Sequence, residues 1–159
     1  MVKSKTIIRS SLFPAPESEV FARLKALKTL QYIAAPYATF APVVGNDSLV
    51  WRAGEVFAFR FKLFGFLPFG IHTIRVLEFG EGVHGIYTNE SNPHVPTWNH
   101  RIMLEAIDEA TTRYTDEVEI QAGWKTPLVC LWAKCFYAHR QRKWRKLLQK
   151  QNGGYDYDR

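Results

Sequence analysis

The chain has 159 residues, of which 47% are hydrophobic and 14% aromatic. That is enough apolar material for one domain with a substantial core, and it excludes a disordered chain. No run of 18 apolar residues occurs, so no membrane-spanning helix is expected, and no apolar stretch of signal-peptide length follows the charged start Met1–Lys5. The net charge of +6 is concentrated in one place: Lys134–Lys150 holds seven of the 21 Lys and Arg residues and no acid, while the other 14 face 15 acidic residues. The broad basic surface of a nucleic-acid binder is therefore not expected.

Thr6–Phe13 reads as a first strand, stopped by Pro14 and Pro16. Glu17–Leu27 places Val20, Phe21, Leu24 and Leu27 at helical spacing, with acids at the start where the helix dipole favours them. Thr29–Ala35 reads as a second short helix closed by Pro36, and Tyr37–Ser48 as a loop rich in turn formers. Val56–Phe64 alternates like a strand, and Gly65–Gly70 reads as a turn into a strand at Ile71–Phe79. Gly80–Gly82 turns again into Val83–Glu90, and Ser91–Thr97 is a longer loop with two prolines. Thr97–Ala106 and Thr111–Ala122 form a hairpin through Asp108–Ala110.

Thr126 then has the character of an N-cap with Pro127 at the first helical position, opening a long helix to Gln149. On it Leu128, Trp132, Cys135, Phe136 and His139 read as one apolar face. Gly153 and Gly154 end the ordered part, leaving one domain over residues 1–152 and a flexible tail over 153–159. Cys130 and Cys135 lie five residues apart on this helix, point in different directions and cannot easily bridge. Two unpaired thiols without an export signal predict a cytoplasmic protein. The order of elements, with short connections between strands, predicts an α+β fold: a curved antiparallel sheet around a long C-terminal helix, with two short helices after the first strand.

Strand parity predicts which polar side chains point inward with the apolar ones. Phe57, Phe59 and Phe61 share a face on their strand. Trp98, Ile102 and Leu104 bring His100 inward, and Tyr114, Val118 and Ile120 bring Asp116. Ile74 and Val76 bring His72, and Ile86 brings Thr88 and Glu90. The expected polar set is His72, Glu90, His100 and Asp116, within walls of Phe57, Phe59, Phe61, Trp98 and Tyr114, with His139 able to close the pocket from the helix. Apolar walls with a few convergent polar groups describe a ligand site, and the same groups can equally form a buried structural network. His100 beside Asp116 on neighbouring strands is placed for a His–carboxylate hydrogen bond, which fixes the imidazole tautomer and could make His100 a general base. Two His and two carboxylates suit a metal in type, but no close pair of ligands occurs, so neither a metal nor a cofactor is expected. His84 and His94 sit in turns and read as solvated.

Several local words carry a resemblance. They are "SSLFPAPESEVF" at Ser10–Phe21, "WNH" at Trp98–His100, "TRYTDEVEI" at Thr112–Ile120 and "FYAHRQRKW" at Phe136–Trp144. With the order of elements they make the chain resemble the START/polyketide-cyclase-like helix-grip superfamily, also called SRPBCC, in a bacterial branch mostly described as uncharacterised. The resemblance covers nearly the whole chain and implies the helix-grip fold. For activity it implies only a range: carriers of apolar ligands, cyclases and hydratases, ring-oxygenase subunits and co-chaperones. The branch often has a second His two positions after the first. This chain has Ile102 there, so a role for that second His does not carry over.

Three functions follow. The leading one is binding of a small apolar or aromatic molecule in a cavity lined by the inner sheet face, the long helix and the Tyr37–Asp47 loop. The second is a cyclase- or hydratase-like enzyme in which His100 and Asp116 do acid–base chemistry and His72 or Glu90 assists. The third is an interaction module working through the basic helix end His139–Lys146, although cations there also simply complement the helix dipole. No Gly-rich phosphate loop, GxSxG, CxxC or HExxH motif occurs.

Overall fold

The computed structural model describes residues 3–45 and 49–152. In chain order it has β1 (Lys5–Phe13), α1 (Glu17–Leu24), α2 (Leu27–Ala34), β2 (Ala38–Pro42), β3 (Val56–Leu63), β4 (Leu67–Gly80), β5 (Gly85–Ser91), β6 (Thr97–Asp108), β7 (Thr111–Gln121) and α3 (Thr126–Asn152). The strands form one antiparallel sheet in the order β1-β7-β6-β5-β4-β3-β2. The chain leaves β1 through the two short helices, meanders back across the sheet, and lays β7 beside β1. The curved sheet grips α3, which is the helix-grip fold.

The alternation of each strand sets the inner face. Phe57, Phe59 and Phe61 of β3 are buried, as are Ile74 and Val76 of β4 and Trp98, Ile102 and Leu104 of β6. His72, Thr88, His100 and Asp116 are buried among them. Burial of one large apolar side chain contributes about 1.5–3 kcal/mol. A one-residue slip would expose a whole row, so this pattern fixes the register.

The structure departs from the sequence pattern where turn-forming residues occur inside elements. Residues 38–42, expected in a loop, add an edge strand with Phe40 opposite Phe61. Pro42 ends it, a position where the missing N–H costs no ladder bond. β4 begins at Leu67, not Ile71, because Pro68 and Gly70 lie within it. Gly70 adopts φ 87, and the pairing with β3 slips between Arg60 and Lys62, so this glycine marks a bulge and not a turn. A 3-10 turn at Glu81–Val83 delays β5 to Gly85. Residues 46–48 of the expected loop and the expected tail at 153–159 lie outside the described residues.

α3 runs past Gln149 to Asn152, and its buried face is rotated from the expected one. Leu128 and Cys135 are exposed, while Cys130, Ala133, Phe136, Tyr137, Trp144 and Leu148 are buried. Both cysteines are free. Trp144 sets this rotation: it is fully buried, with ring centroids 5.7 Å from Phe13 and 5.8 Å from Tyr114. The Thr126 hydroxyl directs its bonds back toward the strand exit, donating to the Gly123 carbonyl at 2.7 Å and accepting the Ala122 N–H at 2.9 Å. At the basic end Arg142 and Arg145 are exposed, but Arg140 is buried, and Lys143 Nζ lies 4.1 Å from the centre of the Tyr32 ring.

Substitutions at two places test this packing. A Cβ on Gly85 would meet the Ile102 carbonyl oxygen at 2.0 Å, so Gly85→Ala should destabilise by about 3 kcal/mol in urea denaturation. Arg142→Gln with Arg145→Gln should change stability by less than about 0.5 kcal/mol. Adding Lys143→Gln should cost about 0.5–1 kcal/mol through the lost ring contact.

Candidate functional site

A cavity of about 280 Å³ lies between the inner face of the sheet and α3, with α2 behind it. Its walls come from both apolar clusters of the core: Trp51, Ile74, Ile86 and Ile102 from one, Phe61, Val95, Trp98 and Phe136 from the other. Leu128 borders it and is 67% exposed, so the cavity opens beside the first turn of α3.

The expected site residues divide into two groups. Phe61, His72, Thr88, Glu90, Trp98 and His100 line the cavity. Phe57, Phe59, Tyr114 and Asp116 point to the same side of the sheet but do not line it. Phe57 and Phe59 pack edge-on against Trp51, with centroids at 5.0 and 5.8 Å, and Tyr114 stacks on Phe13 at 4.6 Å. These rings fill the core behind the wall. His139 also lies off the cavity: its Nε2 is 2.6 Å from the Ala35 carbonyl and its ring is 4.7 Å from Tyr37. The Tyr37–Asp47 segment contributes Phe40, from the strand that replaces the expected loop. The two turn histidines have partners as well. His84 Nδ1 lies 2.5 Å from Glu17 Oε1, and His94 packs on Phe69 at 4.3 Å.

The four polar residues form a line across the sheet, one per strand. His72 Nε2 lies 2.7 Å from Glu90 Oε2, and the Thr88 hydroxyl donates to Glu90 Oε1 at 2.6 Å. His100 Nδ1 is 3.9 Å from Glu90 Oε1, and His100 Nε2 is 2.7 Å from Asp116 Oδ1. The line ends on α3, where Gln141 Nε2 donates to Asp116 Oδ2 at 2.9 Å. The Tyr114 hydroxyl adds a bond to Asp116 Oδ1 at 3.3 Å.

The bonding fixes the tautomers. Asn92 Oδ1 accepts the N–H groups of His94 and Val95, both at 2.8 Å, so the Asn92 amide nitrogen faces His72 Nδ1 at 3.3 Å and donates to it. His72 therefore carries its proton on Nε2 and gives it to Glu90. An ionised Asp116 only accepts, so His100 carries a proton on Nε2. In the neutral ring, Nδ1 is then the basic nitrogen.

Burial alone raises the Glu90 carboxyl. The hydrogen bond from His72, the charges of His72 and His100 in acid, and the bond from Thr88 outweigh it and hold Glu90 below the ordinary carboxylate value. Asp116 behaves likewise: burial raises it, and His100, the charge of Arg140 and the Gln141 bond bring it below its ordinary value. Burial first, and then the negative charges nearby, push the Tyr114 and Tyr137 phenols far up, so both stay neutral. Tyr137 accepts the Trp98 indole N–H at 3.1 Å.

Sequence reasoning missed Arg140, Gln141 and Tyr137, all of which are buried on α3. Arg140 and Tyr137 line the cavity, and Gln141 anchors the polar line. The available signal was Trp144: with it inside, helical spacing brings residues 137, 140, 141 and 148 in as well.

The fold and the site can be set beside known proteins. A family model described as a domain of unknown function (DUF8410) matches residues 11–148. No curated protein matches the sequence. Solved structures with a similar fold include protein CV1439 from Chromobacterium violaceum, 16% identical with a TM-score of 0.70, covering 90% of this chain and 96% of that one. A START superfamily protein from Mycobacterium smegmatis is 12% identical with a TM-score of 0.70, over 92% and 98% of the two chains. A Thalictrum norcoclaurine synthase, in complex with a transition-state analogue, is 10% identical with a TM-score of 0.69, over 96% and 99%. At these identities the likeness is one of fold.

Asp116→Asn tests the polar line. The new amide would keep an acceptor for His100, but its nitrogen would face the Gln141 donor. It should destabilise by about 2–3 kcal/mol near neutral pH, as leaving buried donors unsatisfied does. Because the folded-state value of Asp116 is depressed, its stabilisation is present above the unfolded value of about 3.9 and lost as pH falls through the folded value. The gap between wild type and variant, measured by urea denaturation at several pH values, should therefore narrow in acid.

Proposed function

The chain belongs to the DUF8410 family, and from the geometry of its cavity we propose that it is a START-like SRPBCC protein that binds a small apolar or aromatic molecule between the sheet and α3. The observation that carries this reading is the cavity itself: about 280 Å³ of space, walled by aromatic and aliphatic side chains and opening at one end. Well-packed cores leave few voids larger than a water molecule. A space of this size, with a few polar groups on one wall, is near the lower end of the usual range for small-molecule sites. The two unpaired thiols carry the proposal of a cytoplasmic setting. Among the described residues no helix is long and apolar enough to cross a membrane.

One observation favours a second reading, acid–base catalysis. His100 borders the cavity, its Nε2 proton is held by Asp116, and Nδ1 is the nitrogen left to take a proton from a bound molecule. Glu90, 3.9 Å from that nitrogen and held ionised, would stabilise the imidazolium that forms. Among the solved neighbours, the norcoclaurine synthase is by its description an enzyme.

Titration with naphthalene, followed by NMR, tests the binding reading. The indole signals of Trp98 and Trp132, both on the cavity wall, should shift with saturation, and Leu30→Trp, which enlarges a wall residue contributed by α2, should abolish the shifts. Unchanged spectra would remove the ligand-binding proposal. For the second reading, His100→Gln should leave naphthalene affinity within about tenfold, or 1.4 kcal/mol, while removing turnover of any substrate found.

A further inference from the structure

Resting on the cavity reading, we propose that the natural occupant is a small apolar or aromatic acid, and that the guanidinium of Arg140 receives its carboxylate. Arg140 is 5% exposed and lies on the cavity wall. Its own helix holds it in place without neutralising it: the guanidinium carbon lies 5.1 Å from the centre of the Tyr137 ring and 5.6 Å from that of Phe136. Its Nε is buried without a hydrogen-bond partner. Among the described residues no carboxylate comes within ion-pair distance of it.

The two buried carboxylates are committed elsewhere. Asp116 spends Oδ1 on His100 and Tyr114 and Oδ2 on Gln141, and Glu90 spends its oxygens on His72 and Thr88. Arg140 is thus a buried permanent cation on the wall of an apolar space, near the charges of Asp116 and Glu90 but hydrogen-bonded to neither, with its Nε donor unused. Burying a charge is costly unless it is paired and hydrogen-bonded. Its planar fork matches a carboxylate in two parallel bonds.

The other groups around the cavity define the acid further. Glu90 also faces the space, so each added negative charge is repelled there, and a singly charged carboxylate suits the site better than a doubly charged phosphate. His100 Nδ1 can donate to an anion once protonated, and His72 cannot do so without giving up its bond from Asn92. The acid group therefore belongs on the α3 side, with its apolar body against Ile86, Trp98 and Phe61. An apolar cavity of about 150 Å³ holds benzene. A cavity of about 280 Å³ suits one or two rings bearing a short acidic group.

The test compares 2-naphthoate with neutral 2-naphthamide by calorimetry at neutral pH. Wild type should prefer the acid by at least about tenfold, the scale of a hydrogen-bonded charge pair. Arg140→Met should erase that preference, bringing the acid and amide affinities within about threefold of each other. Equal affinities in wild type, or a preference that survives Arg140→Met, would overturn this inference and leave the cavity reading standing. If neither compound binds, both are overturned. Should Arg140→Met fail to fold, the Arg140 Nε–Hε signal of the wild type decides. It must move with naphthoate and stay with naphthamide, and the same response to both sinks the proposal.

Discussion

The structure depends on the Asp116 carboxylate. It is buried on β7, and it persists there because three donors from three elements meet it: His100 from β6, Gln141 from α3 and Tyr114 from its own strand. Gln141 uses everything it has. Its amide nitrogen donates to Asp116 and to the Arg9 carbonyl, both at 2.9 Å, and its oxygen accepts the Ser11 hydroxyl at 2.5 Å. The long helix is thereby fastened to both β1 and β7, the seam where the first and last strands of the sheet meet. Hydrophobic burial alone would let a helix of this length rotate or slide against a curved sheet. A directional set of hydrogen bonds allows one rotation.

That rotation decides what α3 presents to the cavity. With Gln141 turned to the seam and Trp144 in the core, Tyr137 and Arg140 face the cavity, and Phe136 and Trp132 continue the wall toward the opening. The polar line repeats one geometric step across the sheet. Glu90 sits opposite Ile74, two residues from His72. Thr88 sits opposite His100, two residues from Glu90. Ile102 sits opposite Asp116, two residues from His100. Each contact spans the diagonal between neighbouring strands, where long side chains still reach.

Much of this was legible in the sequence because period-two alternation carries polar residues inward along with apolar ones. The runs Trp98–Leu104 and Tyr114–Ile120 place His100 and Asp116 on one face without any structural knowledge. What alternation does not give is depth. Phe59 and Phe61 share a parity, yet one packs against Trp51 behind the wall and the other borders the cavity. The edge strand at residues 38–42 was hidden because prolines flank a segment too short to show a period. The face of α3 was misread for a different reason. Leu128 is apolar but lies at the opening, while Arg140 and Gln141 are polar but buried. Where a helix lines a polar-edged cavity, hydrophobicity and burial no longer run together, and only a large anchor such as Trp144 marks the true face.

The two halves of the polar line differ in what they can be for. The Asp116 half joins a helix to a sheet seam, so a structural reason suffices for it. The His72–Glu90 half joins β4 to β5, which are already paired along a ladder from Thr73–Ser91 to Gly80–Gly85. That pairing needs no buried ions, and apolar residues of similar volume in such positions are often neutral or stabilising. Asn92 goes further and fixes the His72 tautomer, a refinement that adds little to holding two strands together. This organised charge lies on the wall of the cavity that Arg140 also lines. Holding the two strands together does not require that arrangement, and the proposed binding of a small molecule would give it a use.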